Sequence, residues 1–150
     1  LVGGGSNSGG NVIKHHFSST EIKKYTELVN PEQLLNLSYY PLIVKGERFP
    51  ENNPNKQPKL EPVVKQKQDF FQAILEGIAD IEAMAYEKLQ QYGANKITRV
   101  ISMGGGSINY PWQQIRQDKL GVSCVKVEQT EAAYGVALLA KRALPRCQSD

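Results

Sequence analysis

Arg99-Val100-Ile101-Ser102-Met103-Gly104-Gly105-Gly106-Ser107-Ile108-Asn109 decides the fold of this 150-residue chain. A short β-branched run enters three consecutive glycines, and helical signals begin directly afterwards. Asn109 is a candidate N-cap, and Pro111 stands in the first turn, where a missing N–H does least harm. The spacing therefore predicts strand, glycine loop and helix N-terminus in series. Glycine lets the backbone approach a ligand, while first-turn N–H groups and the helix dipole favour negative charge.

Downstream, Gly121 closes a helix over about 109–119, Ser123–Val127 reads as a second apolar strand, and Thr130 caps a final Ala-rich helix from Glu131 to Leu144. Gly135 would let that helix pack tightly on the sheet, and Pro145 stops it. Strand–helix–strand–helix implies a parallel pair with a right-handed crossover, and ligands of such sheets bind beyond the carboxyl ends of the strands. Gly104–Gly106 lies there.

Upstream, Gly3-Gly4-Gly5-Ser6-Asn7-Ser8-Gly9-Gly10 is a second glycine-rich segment, followed by helical periodicity through Val12, Ile13, His16 and Phe17. It reads equally as a ligand loop or a flexible linker. His15 and His16 are adjacent, so a helix points them apart, which suits surface or partly packed imidazoles better than a joint metal site. Ser18-Ser19-Thr20 offers N-caps for a helix over about 21–29, and 32–37 reads as a further helical turn. Leu42–Val44 reads as a short strand, and prolines 41, 50, 54, 58 and 62 forbid regular ladders nearby. The longest helix is expected from Asp69, with Gln72 in the capping-box position, to Tyr92. Phe70, Phe71, Ile74, Leu75, Ile78, Ile81, Ala85 and Leu89 give it a wide apolar face. Gly77 within it marks a close approach, with another helix as the expected neighbour.

The composition is globular, 40% apolar and 22% charged, and the length suits one domain, 1–150. Net charge is only +3, with 18 basic residues scattered among 15 acidic ones, so no basic stripe points to nucleic acid. No apolar run approaches the roughly 20 residues that span a bilayer, and no secretory leader is legible. Cys124 and Cys147 give neither metal spacing nor a disulfide framework, which suits a reduced, cytoplasmic setting. The apolar opening, Leu1-Val2 running into glycines, reads like a strand cut in mid-course, so a longer parent polypeptide is expected.

Three readings of Gly104-Gly105-Gly106 compete with a ligand-free tight turn. A dinucleotide fingerprint is suggested by G-x-G and by Glu128 at the end of the next strand, although Asn109 takes the third glycine's place. A Walker loop fails for want of Gly-Lys-Ser/Thr. An adenosine-binding loop of an actin-like kinase is the third.

Four stretches carry a likeness to a known family. Tyr39-Tyr40-Pro41-Leu42 leading to Gly46-Glu47-Arg48-Phe49-Pro50 is similar to a Pro-Tyr…Gly-Glu-Arg-Thr-Pro loop. Ala73-Ile74-Leu75-Glu76-Gly77-Ile78-Ala79 is similar to an Ala-x-Leu-Glu-Gly-x-Ala helix. Gly104–Ser107 with Asn109, Trp112, Gln114 and Ile115 matches Gly-Gly-Gly-Ala…Trp-x-Gln-Ile. Glu131–Ala140 matches Glu-Ala-Ala-x-Gly-Ala-Ala-x-Leu-Ala. In this order they resemble the C-terminal domain of the FGGY carbohydrate kinases, and the loop wording is most similar to the D-ribulose kinase, or xylulose kinase-like, branch.

That resemblance implies an α/β domain of the ribonuclease H-like, actin-like ATPase fold, a central sheet with flanking helices. It implies transfer of the γ-phosphoryl group of ATP, with Mg2+ held mainly by ATP and by a second lobe, to a ketopentose bound by that N-terminal lobe. Gly104, Gly105 and Gly106 would pass along adenosine and phosphates, and Asn109 would reach the adenine. Gly9 and Gly10 would approach the phosphates, with Lys14 where some members place a nucleotide-contacting Gln. Glu47 and Arg48 are expected to form an ion pair that holds their loop, with a catalytic role as the alternative. The family's catalytic Asp, in a Gly-Asp-Gln-like motif, has no counterpart here, so the fragment alone is expected to be inactive. A non-catalytic nucleotide- or dinucleotide-binding module is the alternative, and a homodimer is compatible with either.

Overall fold

A computed structural model describes residues 3–126 and 132–143. Five α-helices and one parallel strand pair are present among them. In chain order these are α1 (Gly10–His16), α2 (Ser19–Thr26), α3 (Lys67–Gln91), β1 (Arg99–Ser102), α4 (Tyr110–Leu120), β2 (Ser123–Lys126) and α5 (Ala132–Ala143), with a 3-10 turn at Gly105–Ile108. β1 pairs with β2 in the register Val100 to Cys124, the parallel pair expected from the sequence.

The core forms around α3, because its three- and four-residue spacing puts the apolar side chains on one broad face. Phe71, Ile74 and Leu75 are fully buried there with Val12 and Phe17 below and Ile115 beside them. Phe17 meets Phe71 edge to face at 5.1 Å. At about 25 cal/mol per Å2 of apolar surface, this cluster is the main source of stability. Polar ties then fix α4 on α3. Arg116 binds Glu82 through both Nε (2.6 Å) and Nη2 (2.7 Å), reaches Ser102 Oγ with Nη1 (2.6 Å), and lies over the Trp112 ring. Lys119 pairs with Asp80 at 2.6 Å.

Several sequence expectations are corrected. α3 begins at Lys67 with Gln66 as its N-cap, so Asp69 lies inside the first turn. Gln72 is no capping-box residue; it is buried and bonds Asn30 and Gln33. Residues 32–37 form no helix, because Glu76 takes the N–H groups of Leu35 and Asn36, both at 2.9 Å, that a helix would have used internally. Leu42–Val44 forms no strand; isolated bridges at Tyr40–Lys59 and Glu47–Asn53 stand nearby instead. Gly77 packs on a loop and not on a helix. A Cβ there would stand 2.7 Å from the Tyr39 carbonyl oxygen. Glu76-Gly77 is thus the point where the 30–42 segment crosses α3.

α5 does not pack on the strand pair. Tyr134, Val136, Leu138 and Leu139 are all exposed, and nothing lies within 4 Å of a Cβ on Gly135. Among the described residues the sheet has two strands, a smaller one than the central sheet expected. Thr130, Glu128 and Cys147 lie outside the described residues.

Candidate nucleotide cleft

The first glycine segment is shaped by a buried carboxylate. Glu47, 2% exposed, accepts hydrogen bonds from Ser6 Oγ (2.7 Å), the Asn7 N–H (2.7 Å), the Arg48 N–H (2.8 Å) and the Tyr40 hydroxyl (3.1 Å). Burial pushes its carboxyl up, but these donors outweigh that and hold it below the ordinary carboxylate range. Ser8 Oγ donates to the Pro41 carbonyl at 2.7 Å. Residues 6–8 are therefore pinned to the 40–48 segment and are no linker. Gly9 then takes φ +150°, which an L side chain rarely adopts, and α1 starts at Gly10.

The expected Glu47–Arg48 ion pair is not formed. Both Glu47 oxygens are taken by the donors above, and Arg48 Nε donates to Asn7 Oδ1 at 2.7 Å. The loop is held, through other partners than the sequence suggested.

The second glycine segment is set by backbone shape and by an aromatic ring. Gly104 has φ +77°, and its carbonyl accepts from the Ser107 N–H and Oγ. Gly106 lies against Trp112, where a Cβ would stand 2.7 Å from Cζ3. That ring cannot yield easily, because its Nε1 donates to the Leu75 carbonyl at 3.0 Å. Asn109 caps α4 as predicted, its Oδ1 accepting from the Trp112 N–H at 3.0 Å, while its Nδ2 donates to Thr26 Oγ1 at 3.1 Å.

These elements enclose one cleft of about 900 Å3, and Gly9, Gly10, Lys14, Gly106 and Asn109 all line it. The structure thus brings two segments about a hundred residues apart in sequence to the same cavity. Gly104 stands outside the lining and serves as the turn, and Gly105 opens the 3-10 turn. Among the lining residues to which the sequence gave no ligand role are Ile22, Lys23 and Thr26 on α2, and Arg48. Only the docking of α2 beside Asn109 puts the first three there, which is a tertiary event without a local signal.

The lining combines three cations, Lys14, Lys23 and Arg48, with one acid, Glu27, and adds apolar surface from Ile22, Phe71 and Ile108. Its size and mixture suit a small ligand with an apolar body and an anionic end. A second groove of about 550 Å3 runs between α3 and β1 and shares Gly10, Gly106 and Trp112. Its Arg116 is already committed to Glu82 and Ser102, so it offers an anion little. His16 is half-buried against Phe70 at 5.3 Å, and burial, then the neighbouring His15, lowers its pKa. Among the described residues no group of three or more His, Cys, Asp or Glu stands close enough to hold a metal ion. None of the described helices is long and apolar enough to cross a membrane.

Residues 1–144 match the family model for the FGGY family of carbohydrate kinases, C-terminal domain. The chain belongs to this family. The FGGY domain is also similar in structure to a ligand-bound xylulose kinase from Lactobacillus acidophilus, with a TM-score of 0.72 and 20% sequence identity. The similarity covers 91% of this chain and 29% of that one. At that identity the likeness speaks for the sugar-kinase fold, and the FGGY domain spans under a third of the relative's length.

Proposed function

We propose that residues 1–150 are the ATP-binding lobe of a two-lobed carbohydrate kinase that phosphorylates a ketopentose, D-ribulose or D-xylulose. The observation that carries this reading is the convergence of Gly9, Gly10, Lys14, Gly106 and Asn109 on one cleft in an FGGY domain. In it, adenosine lies by the Asn109 end, beside Thr26 and Ile22, and the phosphates run toward Gly9 and Gly10. Asn109 has its Oδ1 engaged by the α4 cap and one Nδ2 hydrogen on Thr26, so its remaining Nδ2 hydrogen is what it can offer a base. Lys14 supplies a cation near the first turn of α1. Mg2+ suits the phosphates of bound ATP and ligands from the other lobe, since it keeps waters and takes few protein groups.

Phosphoryl transfer needs positioning and charge neutralisation on both sides of the reacting groups. The cleft supplies one side, and no Gly-Asp-Gln motif occurs in these residues. The chain alone therefore binds nucleotide without turning over sugar. Calorimetry with ADP against NAD tests the binding: tighter ADP binding is expected, and preference for NAD would instead favour a dinucleotide module. Sugar-dependent ADP production by the purified 150-residue chain would overturn the division of labour between lobes.

A further inference from the structure

We propose that Arg48 is a phosphate-binding side chain of the cleft and that Asn7 aims it. The proposal rests on the nucleotide reading above and adds to it a residue from a loop whose expected role was chiefly structural.

Arg48 is exposed and lines the cleft together with Asn7, Gly9 and Gly10. Its Nε is fixed on Asn7 Oδ1 at 2.7 Å, and Asn7 is fixed in turn. Asn7 Nδ2 donates to the Gly46 carbonyl at 3.0 Å, and its N–H donates to Glu47 at 2.7 Å. The same Glu47 oxygen accepts the Arg48 N–H at 2.8 Å. One buried carboxylate therefore positions both the arginine backbone and the residue that orients its side chain.

Only one of the five guanidinium donors is used in this arrangement. Nη1 and Nη2 have no hydrogen-bond acceptor and no carboxylate partner among the described residues, because Glu47 is saturated by its other donors. Nη2 stands 3.8 Å from the point where a Cβ would sit on Gly5, so the open end of the guanidinium lies against bare loop backbone. A planar fork held at one nitrogen with its terminal pair open suits two-pronged recognition of a phosphate. The charge around it agrees, since among the described residues Glu27 is the only acid in a lining that holds Lys14, Lys23 and Arg48.

The test is titration calorimetry of the wild-type chain and of Arg48→Met, Arg48→Lys and Asn7→Ala with ADP, adenosine and tripolyphosphate. A thermal melt of each variant checks that it is folded. Arg48→Met is expected to weaken ADP and tripolyphosphate about tenfold, one charge-assisted contact, and to leave adenosine within about twofold. Arg48→Lys should recover part of the loss, because it keeps the charge without the fork. Asn7→Ala should produce a smaller loss of the same kind. Equal weakening of adenosine and ADP, or a lowered melting temperature with unchanged affinities, would overturn the assignment and leave Arg48 a brace. Should the wild-type chain bind no ADP, the nucleotide reading falls, and tripolyphosphate alone then decides Arg48. Binding that Arg48→Met abolishes supports it; absent or unchanged binding overturns it.

Discussion

Glu47 shows how one side chain can shape a glycine-rich loop 40 residues away in sequence. Its carboxylate collects Ser6, Asn7, Tyr40 and Arg48, and Glu47→Gln would set an amide N–H against donors that need an acceptor. A loss of about 2 kcal/mol in unfolding free energy is expected, read by urea denaturation. The pH dependence has a definite sign. Because the folded carboxyl titrates below its unfolded value of about 4.3, its stabilisation is complete above that pH and is lost as the pH falls through the folded value. The stability gap between wild type and Glu47→Gln should therefore close as the pH is lowered below about 4; a gap that persists in stronger acid would contradict the network. The glycines give a contrasting pair. Nothing lies within 4 Å of a Cβ on Gly10, whereas one on Gly106 meets the Trp112 ring. Gly10→Ala should shift stability by less than about 1 kcal/mol while weakening ADP binding, and Gly106→Ala should lower both; unchanged ADP affinity in Gly10→Ala would argue against phosphates passing there. The glycine positions were legible from sequence because each departs from ordinary residue usage. The partners of Glu47 were not, since adjacency to Arg48 suggested a local pair while the true donors arrive on other segments.

Among the elements, α3 and α4 carry the arrangement. Apolar spacing showed α3, and Asn109 with Pro111 showed the start of α4, because both signals are local. The start of α3 was misplaced: Gln72 looked like a capping residue, yet its side chain serves the 30–33 segment. Gly77→Ala tests that crossing. In an exposed helix it would gain about 1 kcal/mol from propensity, but here the added methyl meets the Tyr39 carbonyl, so net destabilisation is expected. A stabilised variant would mean that the 30–42 segment does not cross α3 as described. Asn109→Ala removes the cap of α4 and its tie to α2, with an expected cost of about 1 kcal/mol in thermal or urea unfolding.

At the scale of the molecule, the α/β class was readable from strand–helix–strand order, and the sheet's extent was not. Two strands with exposed Ile101 and Val125, and an α5 whose described apolar residues are exposed, leave the strand pair less covered among the described residues than parallel sheets usually are. The expectation of a packed terminal helix followed from its composition, which specifies a helix that can bury a face without specifying what covers it. The cleft needs neither α5 nor a larger sheet, because α1, α2, the two glycine segments and the start of α4 line it. Its occupation by nucleotide is the central claim, and backbone amide chemical shifts measured during an ADP titration test it most directly. Shifts that concentrate on Gly9, Gly10, Lys14, Gly106 and Asn109 and saturate with ADP are expected, with NAD weaker. An absence of shifts, or shifts confined to the groove of Ile81, Leu89 and Met103, would contradict it.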